Sequence, residues 1–295
     1  MDASGAVLDR WAGFRGAAEW LRVFREATAN LQTIEAKEEA FKTSPTESLA
    51  SALGRIYASM NDGKGAVEFY REAERLAGNP NPAYRAAIFF AQARGLATGS
   101  FTAEDVRAAG EALLATIGAE PLDVLLVANT MADIAADKKE PGLFAPFLRP
   151  ALAATEGLRD ERSARLRSDL QVAGALLVEG DEGRAVSLKK ASMPAGWEEN
   201  ADELNRFAWW CFEYKVDLEE AEQLARKSAD LAMAGPERAQ ALDTAAEIAN
   251  LRGNPGEAIS LSERASKEDP KEEHYSRQVK RFTELRDTAK PASGA

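Results

Sequence analysis

The sequence predicts an all-α protein, a solenoid of paired helices, with a short β-hairpin in front. Three observations lead there. Apolar residues recur at helical spacing, as at Tyr275, Val279, Phe282 and Leu285. Helix-start chemistry repeats along the chain, with a small polar residue, a proline and an acid falling together. Small residues also return at near-constant intervals: Ala173, Ala208 and Ala246 lie 35 and then 38 positions apart. At 295 residues the chain exceeds one compact helical core, so several domains or a repeat array are expected.

The opening reads differently from the rest. Asp2-Ala3-Ser4-Gly5 is turn chemistry, and Val7, Leu8, Trp11 and Phe14 are strand formers. Gly5 supplies the positive φ of a hairpin turn, so the stretch predicts strand, turn, strand. After Gly16 the pattern is helical, and a helix beginning near Ala17 would present Trp20, Leu21 and Phe24. Ser44-Pro45-Thr46-Glu47 predicts an N-cap, a proline at the first helical position and a glutamate reaching back. Asn254-Pro255-Gly256-Glu257 and Asp269-Pro270-Lys271-Glu272 repeat that arrangement. Asn81-Pro82, Thr102 with Asp105, and Asp217 with Glu220 mark further starts. These signals place roughly fourteen helices joined by short loops, the lengths expected of antiparallel neighbours. The tail, 291–295, reads as disordered.

Pairs of short helices call for a repeat search. Residues 47–80 contain Leu53-Gly54-x-x-Tyr57, then Ala66-x-x-x-Tyr70-x-x-Ala73. That spacing is the tetratricopeptide (TPR) pattern, whose period is about 34 residues. Its physical basis is local: small residues let two helices approach, and large ones a turn away fill the groove beside them. Leu242, Ala245, Ala246, Ala258, Ala265 and Pro270 fall at the same offsets in 239–270, with Ala249 replacing the aromatic. Phe207, Ala208, Cys211, Ala221 and Ser228 do so in 201–234. Residues 166–197 carry a degenerate copy through Ala173, Leu176, Ala185 and Ser192, whereas 81–165 read as helices without a clean match. The TPR resemblance implies a right-handed superhelix.

Residues 193–282 resemble the C-terminal TPR region of bacterial proteins that carry a thioredoxin-like domain in front. The segment "SGAVLDRWAGFRGAAEWLRVFREA" is similar to the end of a thioredoxin fold, with Gly5 at the hairpin turn and Gly13 at the strand-to-helix junction. The expected organisation is therefore a remnant of a thioredoxin-like C-terminus at 1–28 and a helical region at 29–165 with one clear TPR at 47–80. TPR-like repeats with a terminal capping helix follow at 166–290. The redox chemistry of that family needs a Cys-x-x-Cys at a helix N-terminus, where the dipole lowers the thiol pKa. This chain has neither cysteine of that motif.

Composition excludes other functions. With 37 Lys+Arg against 48 Asp+Glu the net charge is −11, a poor match to nucleic acid, which requires basic footprints. One cysteine, Cys211, permits no internal disulfide, and beside Trp210 and Phe212 it reads as a small buried hydrophobe. One histidine, His274, provides neither a multi-histidine metal site nor a triad, and reads as a solvated residue on the last helix. Ser187-x-x-Lys190 lacks the companion motifs of penicillin-recognising enzymes and lies inside a predicted helix. No apolar run approaches the ~20 residues that span a bilayer. The opening residues show no signal-peptide pattern, so the chain is expected in the cytoplasm. A signal-bearing upstream segment would make it periplasmic or exported.

No catalytic residue, cofactor or metal is expected. In a TPR stack the first helix of each pair lines a concave face that binds extended peptides. The offsets between the packing positions give Arg55 in the first repeat, Asn205 and Trp209 in 201–234, and Asp243, Glu247 and Asn250 in the last. An aromatic beside amide and carboxylate groups suits a peptide backbone and a basic or apolar side chain. The alternative for Asn205 and Asp243 is hydrogen bonding between neighbouring helices, and for Trp209 packing within the stack. The expected function is a protein- or peptide-binding scaffold without catalysis, capable of weak self-association through exposed strand edges. The other reading is the C-terminal part of a thiol-disulfide oxidoreductase whose redox domain is not in this chain.

Overall fold

The computed structural model describes residues 7–10, Trp20, Leu21, Phe24, Arg25, Thr28 and residues 30–289. Fourteen α-helices run between Ile34 and Ala289, and no strand is present among the described residues. No helix there is long and apolar enough to cross a membrane. The chain divides into two compact units, Met1–Asp181 and Glu182–Ala295.

The first unit holds α1 (Ile34–Thr43), α2 (Glu47–Ser59), α3 (Gly63–Ala77), α4 (Pro82–Leu96), α5 (Ala103–Leu114), α6 (Pro121–Lys138), α7 (Ala145–Ala154) and α8 (Glu161–Ala173). A π-helical turn, Gly174–Glu179, follows α8. Side-chain caps set several starts. Asn81 accepts from the Ala83 amide at 2.9 Å, and Thr102 with Asp105 forms a full capping box. The start of α2 is displaced from its predicted position. Thr46, not Ser44, accepts from the Leu49 amide at 3.3 Å, which leaves Pro45 ahead of the helix.

The α2–α3 pair shows why the TPR pattern reads so clearly at 47–80. Leu53, Ala66 and Ala73 have no exposed surface. Gly54 lies against the Tyr70 ring, where a Cβ would sit 2.9 Å from the ring, and Gly65 lies closer still against Tyr57. Each tyrosine occupies the space its facing glycine vacates. Farther along, the packing rule changes. Phe89, Leu125, Met131, Phe144, Phe147 and Leu170 form one core, and Gly110 meets Phe147 and Phe89. Helix α6 packs on both α7 and α8. Buried alanines, among them Ala128, Ala135 and Ala151, are present in this core too, but they pack beside large aromatics and do not fall at the TPR offsets.

The opening hairpin is not supported. Its turn at Gly5, together with Trp11, Gly13, Phe14 and the helix start near Ala17, lies outside the described residues. Residues 7–10 carry no strand. Their polar groups are taken up by helices instead. The Val7 carbonyl accepts from the Ile34 amide at 3.2 Å, one of the free donors at the start of α1. The Leu8 carbonyl accepts from Lys37 Nζ at 2.5 Å, and Lys37 is only 1% exposed.

The second unit holds α9 (Glu182–Ala191), α10 (Ala201–Tyr214), α11 (Leu218–Leu231), α12 (Pro236–Leu251), α13 (Pro255–Glu268) and α14 (Glu273–Ala289). From α10 onward each helix packs on the next, and α10 also meets α12 across the hairpin between them. The predicted small positions are the contact surface: Ala208, Cys211, Ala221, Ala245, Ala246, Ala249, Ala258 and Ala265 have no exposed surface. Two predicted caps differ from the structure. Asn254 precedes α13 without a side-chain cap, and Asp217 adopts a left-handed backbone (φ 45°) and does not cap α11. Helix α14 begins at Glu273, beyond Asp269-Pro270, because Glu272 Oε1 accepts from the His274 amide at 2.9 Å. The degenerate repeat expected at 166–197 spans the division between the two units.

Candidate functional site

Helix α10 is amphipathic for a simple reason. Leu204, Phe207, Ala208 and Cys211 are fully buried on one side, and Asn205 and Arg206 stand three and four positions after Asp202 on the other, with Trp209 one turn further on. Helix α12 presents Gln240, Asp243 and Thr244 in the same way, and α14 contributes His274. Together these side chains line a cleft of about 500 Å³.

Hydrogen bonding within the cleft is unevenly satisfied. Asp243 Oδ2 lies 3.0 Å from His274 Nε2. Asp243 Oδ1 and Asn205 Oδ1 are both buried and have no hydrogen-bond partner among the described residues. Arg206 Nη1 donates to both oxygens of Glu203, at 2.7 and 2.8 Å, one turn back on its own helix. Thr244 Oγ1 donates to the Gln240 carbonyl at 3.2 Å. Trp209 stays 39% exposed, with its ring 5.1 Å from that of Phe212. Burial pushes the Asp243 carboxyl above the usual carboxylate range, and the His274 contact opposes that shift without cancelling it.

Three of the six residues nominated from the sequence, Asn205, Trp209 and Asp243, meet in this cleft. Glu247, one turn beyond Asp243, is 9% exposed and is held by α14: its Oε1 accepts from Gln278 Nε2 at 2.6 Å and pairs with Arg281 Nη2 at 2.5 Å. Asn250 stands near the C-terminal end of α12, outside the cleft lining. Arg55 is on α2 in the first unit, where its Nη2 pairs with Asp9 Oδ2 at 3.0 Å. The groove position predicted in the first repeat thus faces the chain's own Asp9.

His274 adds to the sequence reading. It is the Asp243 partner while its side chain stays 44% exposed, and its distance of 31 positions is close to one repeat period. That period is the signal that would have found it. Asp202, Arg206, Gln240 and Thr244 were also missed, although each lies three or four positions from a nominated residue, on the same helix face.

By its architecture the chain is an all-helical protein containing TPR-like helix pairs. No protein-family model and no curated protein matches it. Among solved structures it is similar to a chain of the APC/C hetero-tetramer Cut9-Hcn1, at 13% identity and a TM-score of 0.46, over 84% of this chain and 45% of that one. The chain therefore spans less than half the length of that match. It is also similar to BtubC (BKLC) from P. vanneervenii, at 14% identity and a TM-score of 0.36, over 95% of this chain and 96% of that one.

Proposed function

We propose that the chain is a protein- or peptide-binding scaffold, without catalysis of its own, whose ligand sits in the cleft of α10, α12 and α14. One observation carries this reading. A half-exposed tryptophan and two buried, unpartnered oxygen acceptors share a single cleft. Buried acceptors without donors cost about 1–3 kcal/mol each, and a ligand that supplies donors recovers that cost. Aromatic anchors of this kind dominate the energetics of protein interfaces. The cleft lies wholly within 193–282, the stretch that resembles the TPR region of thioredoxin-like-domain proteins. In that setting the array would hold a protein client for a redox domain outside this chain.

The test is selection of peptides from a displayed library on the immobilised full chain, followed by binding measurements on Trp209→Ala and Asn205→Ala. Selected peptides should lose about tenfold or more in affinity on Trp209→Ala, in line with aromatic hot spots. If no selected peptide depends on either residue, the cleft is not the binding site.

A further inference from the structure

The polarity of the cleft says more than that something binds there. The cationic groups at the cleft, and the amide donor beside it, are engaged with acids of the protein. Arg206 is held by Glu203, His274 by Asp243, and Gln278 by Glu247. The unmatched atoms are acceptors, Asn205 Oδ1 and Asp243 Oδ1, on adjacent helices α10 and α12. Asp202 adds a second carboxylate to the lining, and the exposed face of Trp209 completes it. A ligand that fits must bring several donors, a positive charge and a flat face.

A guanidinium has all three properties. Its five N–H donors lie in one plane, it is always charged, and it stacks on aromatic rings. An ammonium supplies charge and donors but no plane. A carboxylate would add acceptors to a site that already has an excess. We infer that the cleft recognises an arginine side chain of an extended peptide, with the guanidinium against Trp209 and its N–H groups directed to Asn205 Oδ1 and Asp243 Oδ1. The inference rests on the proposed binding function and names its ligand class. The raised carboxyl of Asp243 agrees with it, because burial penalises that charge by more than the His274 contact offsets, and an incoming cation relieves the remainder.

The test uses end-blocked hexapeptides of alanine and serine carrying one central arginine, lysine, citrulline or glutamate, titrated into the full chain. Citrulline retains the plane and most donors without the charge. The arginine peptide should bind about tenfold more tightly than the lysine or citrulline peptides, a difference of about 1.4 kcal/mol, and the glutamate peptide should not bind. Asp243→Asn and Trp209→Ala should each remove the arginine preference. Trp209 is half-exposed, so at least that variant keeps the fold, which circular dichroism would verify. Binding that depends on Trp209 but does not favour arginine overturns the cation inference and leaves the scaffold reading intact. Arginine binding unchanged in both variants places the site elsewhere and overturns both. The absence of binding by any of the four peptides overturns the arginine inference, and the library selection then decides the scaffold reading.

Discussion

Cys211 sits in the contact between α10 and α11 with no exposed surface, and burial pushes its thiol up to about 12. Asp217 and Glu220 add to the shift, while Lys190 and Lys189 act against it. At pH 8 a thiol with that pKa is about 1 part in 10,000 thiolate, so it is chemically quiet. A thiol reagent should label the native chain orders of magnitude more slowly than the denatured chain, and fast native labelling would show that Cys211 is reachable. A different residue-scale case is the Asp9–Arg55 pair, with side chains 5% and 13% exposed. Asp9→Ala takes a charged hydrogen-bond acceptor from the largely buried Arg55, so it should destabilise the first unit by about 1–3 kcal/mol in chemical denaturation. Lys37→Met should cost about 1–3 kcal/mol, because the Leu8 and Gln32 carbonyls lose their shared donor. If both variants melt like the wild type, residues 7–10 contribute no stability. These contacts were not legible in the sequence. Asp9, Lys37 and Arg55 belong to different elements, and no periodicity links a non-helical segment to a helix face. His274 was lost for the opposite reason: its partner is one repeat away, but a search for catalytic companions does not look there.

At the scale of helices, the sequence reading succeeded where packing depends on small residues. Gly54, Ala208 and Ala246 are visible because a contact that excludes a side chain leaves a mark at one position. The middle of the chain has such contacts as well, at Gly95 and Gly110, but they do not recur at the TPR spacing, and Phe89, Phe144 and Phe147 fill the space around them in ways that several sequences could achieve. Caps were legible as chemistry but not to the residue: Ser44, Thr46 and Asp217 are all plausible caps, and only the fold selects Thr46. Gly54→Leu should drive a side chain into the Tyr70 ring and lower stability by about 1–3 kcal/mol, whereas Glu39→Leu on an exposed face should change almost nothing. Equal melting temperatures for the two would mean that the α2–α3 register is wrong. The second unit also has a polar tie. Glu222 on α11 accepts from Arg226 on its own helix at 2.8 Å and from Arg252 after α12 at 2.5 Å, and Arg226 reaches Glu257 on α13 at 2.7 Å. Burial alone would raise the Glu222 carboxyl, but the two arginines hold it below the usual carboxylate range. Such a group contributes stability above its unfolded value of about 4.5, which is lost as pH falls through the lower folded value. Wild type and Glu222→Gln should therefore differ by about 1 kcal/mol at neutral pH, and the gap should close on acidification below about pH 4. A gap that widened in acid would refute the assignment.

For the whole molecule, the division at Asp181 and Glu182 places every cleft residue in the second unit. A fragment of residues 182–295 should keep its helical circular dichroism and bind the same peptides as the full chain. Loss of folding in that fragment would show that the second unit depends on the first. Within each unit the chain is assembled mostly from consecutive neighbours. That order matters during synthesis. From α11 onward, each helix leaving the ribosome finds a packing partner in the helix made just before it, so part of its apolar face is covered almost as soon as it emerges. Residues 7–10 are the exception. The Leu8 carbonyl waits 29 residues for Lys37, and Asp9 waits 46 for Arg55. The earlier-made segment is therefore fastened only after the helices it lies on have appeared, and until then it is open to any protease or chaperone that meets the nascent chain.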